Sequence, residues 1–378
     1  MHRPQRRFRP LSVVRTMVER DKDADFKLRT CRFLWHMGFA CSMEASLSSR
    51  VIRYGKLKRY DLTDIDVVGV RFDSDLTWQT VVADCKSGKE SAINRLFWLR
   101  GVMTFLGADR GYLVMKSIGP ECREVALRMN VSLMDEENLT QYETDKSLDV
   151  GSLNCFTLSA YDRNAALWGL QFPKNYSPND AEQQIQKLFN YLSYNYWFNQ
   201  EYRNIQVLLS ALENAAPAME AHPDKERMKV AAYTALLLWS ISLLKMCGSV
   251  IATKGSEIHN EVRRYIFGSA ANANERAHLM RMFSKLSESK VRLEPDYYGE
   301  LLELASRMIK FSHHAKSIPR YVQQVLFSNI LCAKADSLAT LLGGQYSVDS
   351  LKLAKDVAHF VCKATGLKPE VFSELLSQ

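Results

Sequence analysis

The sequence predicts an α/β N-terminal domain, with a mixed central sheet flanked by helices, followed by an all-α C-terminal domain. Two patterns carry this. β-branched runs bounded by turn residues are confined to roughly the first 140 positions. Segments with three- and four-residue apolar spacing separate those runs and then continue to the end of the chain. The length of 378 residues agrees, since one domain takes about 100–200 residues. A composition of 47% hydrophobic and 24% charged residues excludes a disordered chain.

Taken in order, residues 1–24 read as a basic, polar, mobile lead-in. From Asp25, a candidate cap, the spacing of Phe26, Thr30, Phe33, Leu34 and Met37 predicts a helix that Gly38 ends. Phe39-Ala40-Cys41 begins an extended stretch, and the polar, basic segment 44–60 is expected to be a loop or hairpin. Strands are expected at 66–72 (DVVGVRF), at 78–83 running on into Asp84-Cys85-Lys86, at 111–115 and at 131–134. Helices are expected at 90–106 and 120–129. The strand signal fades in the acidic stretch 135–149, which sets the domains at 25–145 and 150–378. In the second, helices are predicted at 180–213, 224–252, 256–268, 274–288, 295–314, 318–342 and 348–363, with Pro217, Pro223, Pro295 and Pro319 near the breaks.

The apolar segment 231–252 is long enough to cross a bilayer. Its internal Lys245 and its soluble-looking flanks make a buried core helix the expectation, with a membrane-tethered form as the alternative. The opening residues are basic without a following apolar stretch, so no signal peptide is expected. The eight cysteines form no CxxC or CxxH pair, which argues against a zinc knuckle or redox dithiol and for reduced thiols in the cytoplasm.

Charge is concentrated. Residues 1–60 hold fifteen Lys and Arg against five acids, so this segment carries more than the whole net charge of +8. A focused basic region favours a polyanion, because each phosphate neutralised releases counterions. Arg53, Lys56, Lys58 and Arg59, with Lys89 and Arg95 after the second strand, are the candidate nucleic-acid contacts.

The chemistry is expected at the strand ends. Side chains alternate along a strand, so Asp84 and Lys86 share a face opposite Cys85. If the first two strands pair as a hairpin, Asp66 comes near Asp84. Two converging carboxylates call for a cation between them, and a hard divalent ion with oxygen ligands such as Mg²⁺ fits.

The stretch Thr63-Asp64-Ile65-Asp66-Val67-Val68-Gly69, followed by Ala83-Asp84-Cys85-Lys86, resembles the core of the PD-(D/E)XK nuclease superfamily, of the restriction-endonuclease-like Mrr and archaeal junction-resolvase type. The opening helix ending in Gly38-Phe39, the 90–106 helix and the 111–115 strand extend the resemblance over about residues 25–140. It implies a restriction-endonuclease-like fold and a Mg²⁺-dependent endonuclease, with Mn²⁺ as a substitute, hydrolysing phosphodiester bonds, DNA being the favoured substrate. It assigns Asp66, Asp84 and Lys86 as catalytic, with metal held by Asp66, Asp84 and the backbone carbonyl of Cys85. Many relatives carry a Glu in the opening helix where this chain has Lys27; Glu44 is the candidate to take that role. A part in restriction or phage defence, a homodimer, and a helical domain for recognition or a protein partner follow as expectations. The rival expectation is a catalytically inactive nuclease-fold subunit that binds nucleic acid or protein. His313-His314 and the aromatic run Phe189 to Tyr202 read as surface and core features, respectively.

Overall fold

The computed structural model describes residues 17–53, 56–148, 156–168, 180–253, 257–268, 294–333 and 336–378, with isolated positions at 275, 278 and 282. Most of the expected lead-in and of the 274–288 helix lies outside these residues.

Helix α1 (Met17–His36) begins eight residues before Asp25, so Asp25 is interior to the helix and does not cap it. Strands β1 (Ala40–Arg53) and β2 (Lys56–Phe72) form one long antiparallel hairpin, which resolves the 44–60 segment as hairpin. β3 (Trp78–Lys86) pairs antiparallel with β2. Helix α2 (Ala92–Leu106) follows, with the Ser91 side chain accepting from the Asn94 N–H. Gly107 closes it at φ 64°, a left-handed position that suits glycine. Then come β4 (Arg110–Met115), α3 (Cys122–Arg128) and β5 (Val131–Asp135). The five strands lie in the order β1-β2-β3-β4-β5, and the β3–β4 and β4–β5 pairs are parallel.

The acidic stretch folds as α4 (Glu136–Lys146). Asp135 caps it by accepting from the Asn138 N–H, and Glu136 and Glu137 sit in its first turn, where the helix dipole favours negative charge. Glu143 is held by Arg29 at 2.7 Å and Arg32 at 2.9 Å from α1.

The remainder is largely helical. Helix α5 (Leu158–Trp168), which periodicity had not revealed, leads to α6 (Asp180–Asn190) and a π-turn (Tyr191–Asn195). α7 (Glu201–Ala221), α8 (Lys225–Val250) and α9 (Ile258–Phe267) follow, then helices Tyr298–Lys310, Ile318–Val325 and Val348–Thr365. The expected 180–213 helix is therefore divided. Tyr191 donates to Asn204 Oδ1 and Tyr196 to the Leu238 carbonyl, so two buried phenols demand partners that a straight helix would not supply. The expected 318–342 helix is divided as well, by a π-turn at Leu326–Leu331. Pro217 does not break α7: it lies in the last turns, and the carbonyl it deprives of a donor belongs to exposed Glu213. α8 is long and apolar enough to cross a membrane, yet nearly all of it is buried. Its Lys245 pairs with Glu201 and lies 5.5 Å over the Trp78 ring, which accounts for a charge inside a core helix.

The sheet is covered on both faces. Val68, Val82 and Leu113 pack under Leu99 and Met103 of α2. On the other face Cys85, Val114 and α1 join an apolar core that continues without a break into α7, α8 and helix Val348–Thr365. Two contacts clamp the layers together. The Gln323 side chain accepts from the Cys41 N–H at 2.8 Å and donates to the Cys41 carbonyl at 2.6 Å, standing in for a strand neighbour at the sheet edge. Gly248 of α8 crosses the β2–β3 turn so closely that a Cβ would strike the Leu76 carbonyl oxygen. Gly248→Ala is expected to destabilise the protein by about 1–3 kcal/mol, the scale of an overpacked core, as read by urea denaturation.

Candidate active site

Strand pairing builds the site. Val67 faces Ala83, so the next positions outward set Asp66 opposite Asp84. Met43 faces Val67 and Ala45 faces Ile65, so Glu44 lies opposite Asp66 on the other side. Asp84 in turn faces Leu113 of β4. Glu44, Asp66 and Asp84 thus form one row across three adjacent strands. The β2–β3 ladder ends at Val67 and Ala83, and the Cys85 N–H donates at 2.8 Å to Asp66 Oδ2. Glu44 adopts φ 56°, a left-handed conformation that non-glycine residues avoid and that clusters at functional sites.

Three cations meet this row. Lys86 Nζ lies 3.1 Å from Asp66 Oδ2 and 3.3 Å from Asp84 Oδ1, so one ammonium touches both carboxylates. Lys27 Nζ lies 2.5 Å from Glu44 Oε1 and 3.1 Å from Asp66 Oδ1. Arg95 grips Asp84 with two bonds, Nε to Oδ2 at 2.6 Å and Nη2 to Oδ1 at 2.5 Å, while its guanidinium stacks 4.2 Å from the centre of the Trp98 ring. Tyr161 of α5 donates to Glu44 Oε1 at 2.6 Å. Asp66 is 6% exposed and Asp84 1%, so these charges interact with little screening.

Of the residues singled out in the sequence, Asp66, Asp84, Lys86 and Glu44 come together. Cys85 contributes its N–H, and its thiol packs 3.4 Å from Thr30 Oγ1 on α1. Arg95, expected at phosphates, is engaged with Asp84. Lys89 is exposed on the loop after β3. Arg53, Lys56, Lys58 and Arg59 lie at the far end of the β1–β2 hairpin, where Arg53 faces Lys56. Lys58 is eight residues from Asp66, about 27 Å along an extended strand. Sequence reasoning missed Tyr161 and the Arg95–Asp84 bond; neither is marked by any local spacing.

Burial pushes the Asp66 carboxyl up, but Lys27, Lys86 and the Cys85 N–H outweigh it and hold the group below its ordinary value of 3.8. At Asp84 burial prevails over Arg95 and Lys86, and its carboxyl titrates above 3.8. Burial works against the Lys27 ammonium, yet Asp66 and Glu44 raise it further. The signs for stability are opposite. The pairing of Asp66 stabilises the fold fully above 3.8 and is lost as pH falls through its depressed folded value. The contribution of Asp84 is present below 3.8 and is lost as pH rises through its raised folded value.

Among the described residues no group of three or more His, Cys, Asp or Glu side chains is arranged to hold a metal. The oxygens of Asp66 and Asp84 do converge, however, on one point, which the Lys86 ammonium fills. All the donors are oxygen, the preference of Mg²⁺ and Mn²⁺. The donor types and their convergence fit such an ion, provided Lys86 gives up that point. Comparison with protein-family models, curated proteins and solved structures returned no match.

Proposed function

We propose that the protein is a metal-dependent endonuclease of restriction-endonuclease-like fold, hydrolysing phosphodiester bonds in DNA at Asp66, Asp84 and Lys86. The observation that carries this reading is the convergence of two buried carboxylates on one lysine where β2 and β3 part, at the carboxyl end of a parallel strand pair. Open sheets bind ligands outside the carboxyl ends of their strands. Mg²⁺ held by Asp66, Asp84 and the Cys85 carbonyl would lower the pKa of a bound water and neutralise charge on the phosphate. Lys86 offers an ammonium to the negative charge that develops on the phosphate oxygens. Arg95 fixes the plane of Asp84 through its two bonds, and Lys27 holds Asp66 and Glu44 in line.

A specific observation also favours a second reading, a catalytically inactive subunit of the same fold: Arg95 takes both oxygens of Asp84 and Lys27 an oxygen of Asp66, so protein cations already neutralise the row. Water-proton relaxation with Mn²⁺ separates the two. The enzyme is expected to bind Mn²⁺ at one site that Asp84→Asn removes. Absence of Mn²⁺ binding by the folded wild type would favour the inactive subunit.

The acid side of the activity profile provides a further check. Both carboxylates must be ionised to hold the ion, and Asp84, the higher of the two, sets the limb. Arg95 lowers Asp84, so Arg95→Gln is expected to move the acid limb of the cleavage rate to higher pH. A limb unchanged in that variant would mean that another group controls it.

A further inference from the structure

A cavity of about 280 Å³ opens beside the carboxylate row, between edge strand β1 and the helical region, and Glu44 and Tyr161 line both. Its wall is formed by Tyr161, Asn164, Tyr194, Trp197 and Phe327, the last stacked on Phe156. Trp197 is set by an edge-on contact with Tyr196, their ring centres 4.9 Å apart, and the phenol of Tyr196 is anchored to the Leu238 carbonyl. The floor is the outer edge of the sheet. There the N–H and C=O of Cys41 are taken by Gln323, and strand alternation turns those of Met43 the same way.

The volume admits one small planar group and excludes a length of folded chain. Aromatic walls offer stacking to any such ring, and an amide with strand-edge backbone groups offers hydrogen bonds to its rim. Resting on the nuclease reading, we propose that this cavity receives one nucleobase of a single DNA strand, turned out of the stack, from the nucleotides flanking the bond at Asp66 and Asp84. Reaching such a pocket costs unstacking and unpairing in a duplex and far less in a single strand. The site therefore prefers single-stranded or distorted DNA.

The test needs no catalysis. In EDTA, wild-type protein is titrated calorimetrically with deoxyadenosine 5′-monophosphate and with deoxyribose 5-phosphate, which keeps the phosphate and lacks the base. The base-bearing probe is expected to bind roughly 5- to 150-fold more tightly, the span of one stacked base. Ala165→Trp, at an exposed position of α5 that lines the cavity, is expected to erase that difference with an unchanged melting temperature. Asn164→Leu, which keeps the volume, serves if the Trp variant does not fold, and is expected to weaken only the base-bearing probe. Equal binding of the two probes by wild type, or a difference that survives in both variants, would overturn the proposal. A protein that shows the difference but never cleaves keeps the base pocket and loses the nuclease; one that cleaves without the difference loses the pocket alone.

Discussion

Asp66→Ala is expected to lose all metal-dependent cleavage and about 3–5 kcal/mol of stability, the cost of breaking a buried ion pair from one side. Three donors depend on that carboxylate: Lys27, Lys86 and the Cys85 N–H. Lys27 is the most exacting of them, because it is 6% exposed and water cannot replace its partner. Asp66→Asn keeps the shape and an acceptor for the Cys85 N–H, so its loss of stability should be smaller while the loss of cleavage stays complete. The double variant Lys27→Met with Asp66→Asn removes the ammonium that Asp66→Asn leaves with Glu44 alone, and should recover part of the stability, so that the two changes are non-additive in urea denaturation. Additive losses would show that Lys27 and Asp66 do not act as the pair the geometry describes.

Lys86→Gln is expected to leave the fold near wild type and to reduce cleavage by about 10²–10³, the scale of removing one group that stabilises transition-state charge. The stability cost is small because Lys86 is at the rim, with its side chain 21% exposed, and each carboxylate keeps another cation, Lys27 on Asp66 and Arg95 on Asp84. Mn²⁺ affinity should hold or rise in this variant, since the ammonium occupies the point where the carboxylate oxygens converge. A loss of cleavage that tracks a loss of Mn²⁺ binding would assign Lys86 to the architecture of the site instead of to the reaction.

The sheet was legible because its strands are dense in β-branched residues, as in Asp66 to Phe72, and because Asp73-Ser74-Asp75 and Gly107 mark where they turn or begin. Helix α4 was not. Leu139 is its one buried residue, and it is fixed by Asp135 at the cap and by Arg29 and Arg32 on Glu143, charges more than a hundred positions apart in sequence. No periodic pattern reports such a helix. The Asp66, Asp84 and Lys86 part of the site could be read because strand alternation and hairpin pairing are local rules. Glu44 entered the row only once the β1–β2 register was known, since a shift by one residue would have turned it to the other face. Arg95 was assigned to a phosphate because its spacing from Asp84 crosses a loop, and only the placement of α2 brings guanidinium and carboxylate together. Tyr161 belongs to the helical region, and its bond to Glu44 ties that region to the row.

The most direct measurement is cleavage of supercoiled plasmid and of single-stranded DNA in Mg²⁺ or Mn²⁺ by the wild type, Asp84→Ala and Lys86→Ala, each first shown to be folded. Metal-dependent cutting by the wild type is expected to vanish in Asp84→Ala and to fall at least a hundredfold in Lys86→Ala. Folded wild-type protein that binds DNA and leaves both substrates intact, or cutting that persists in Asp84→Ala, would contradict the nuclease reading.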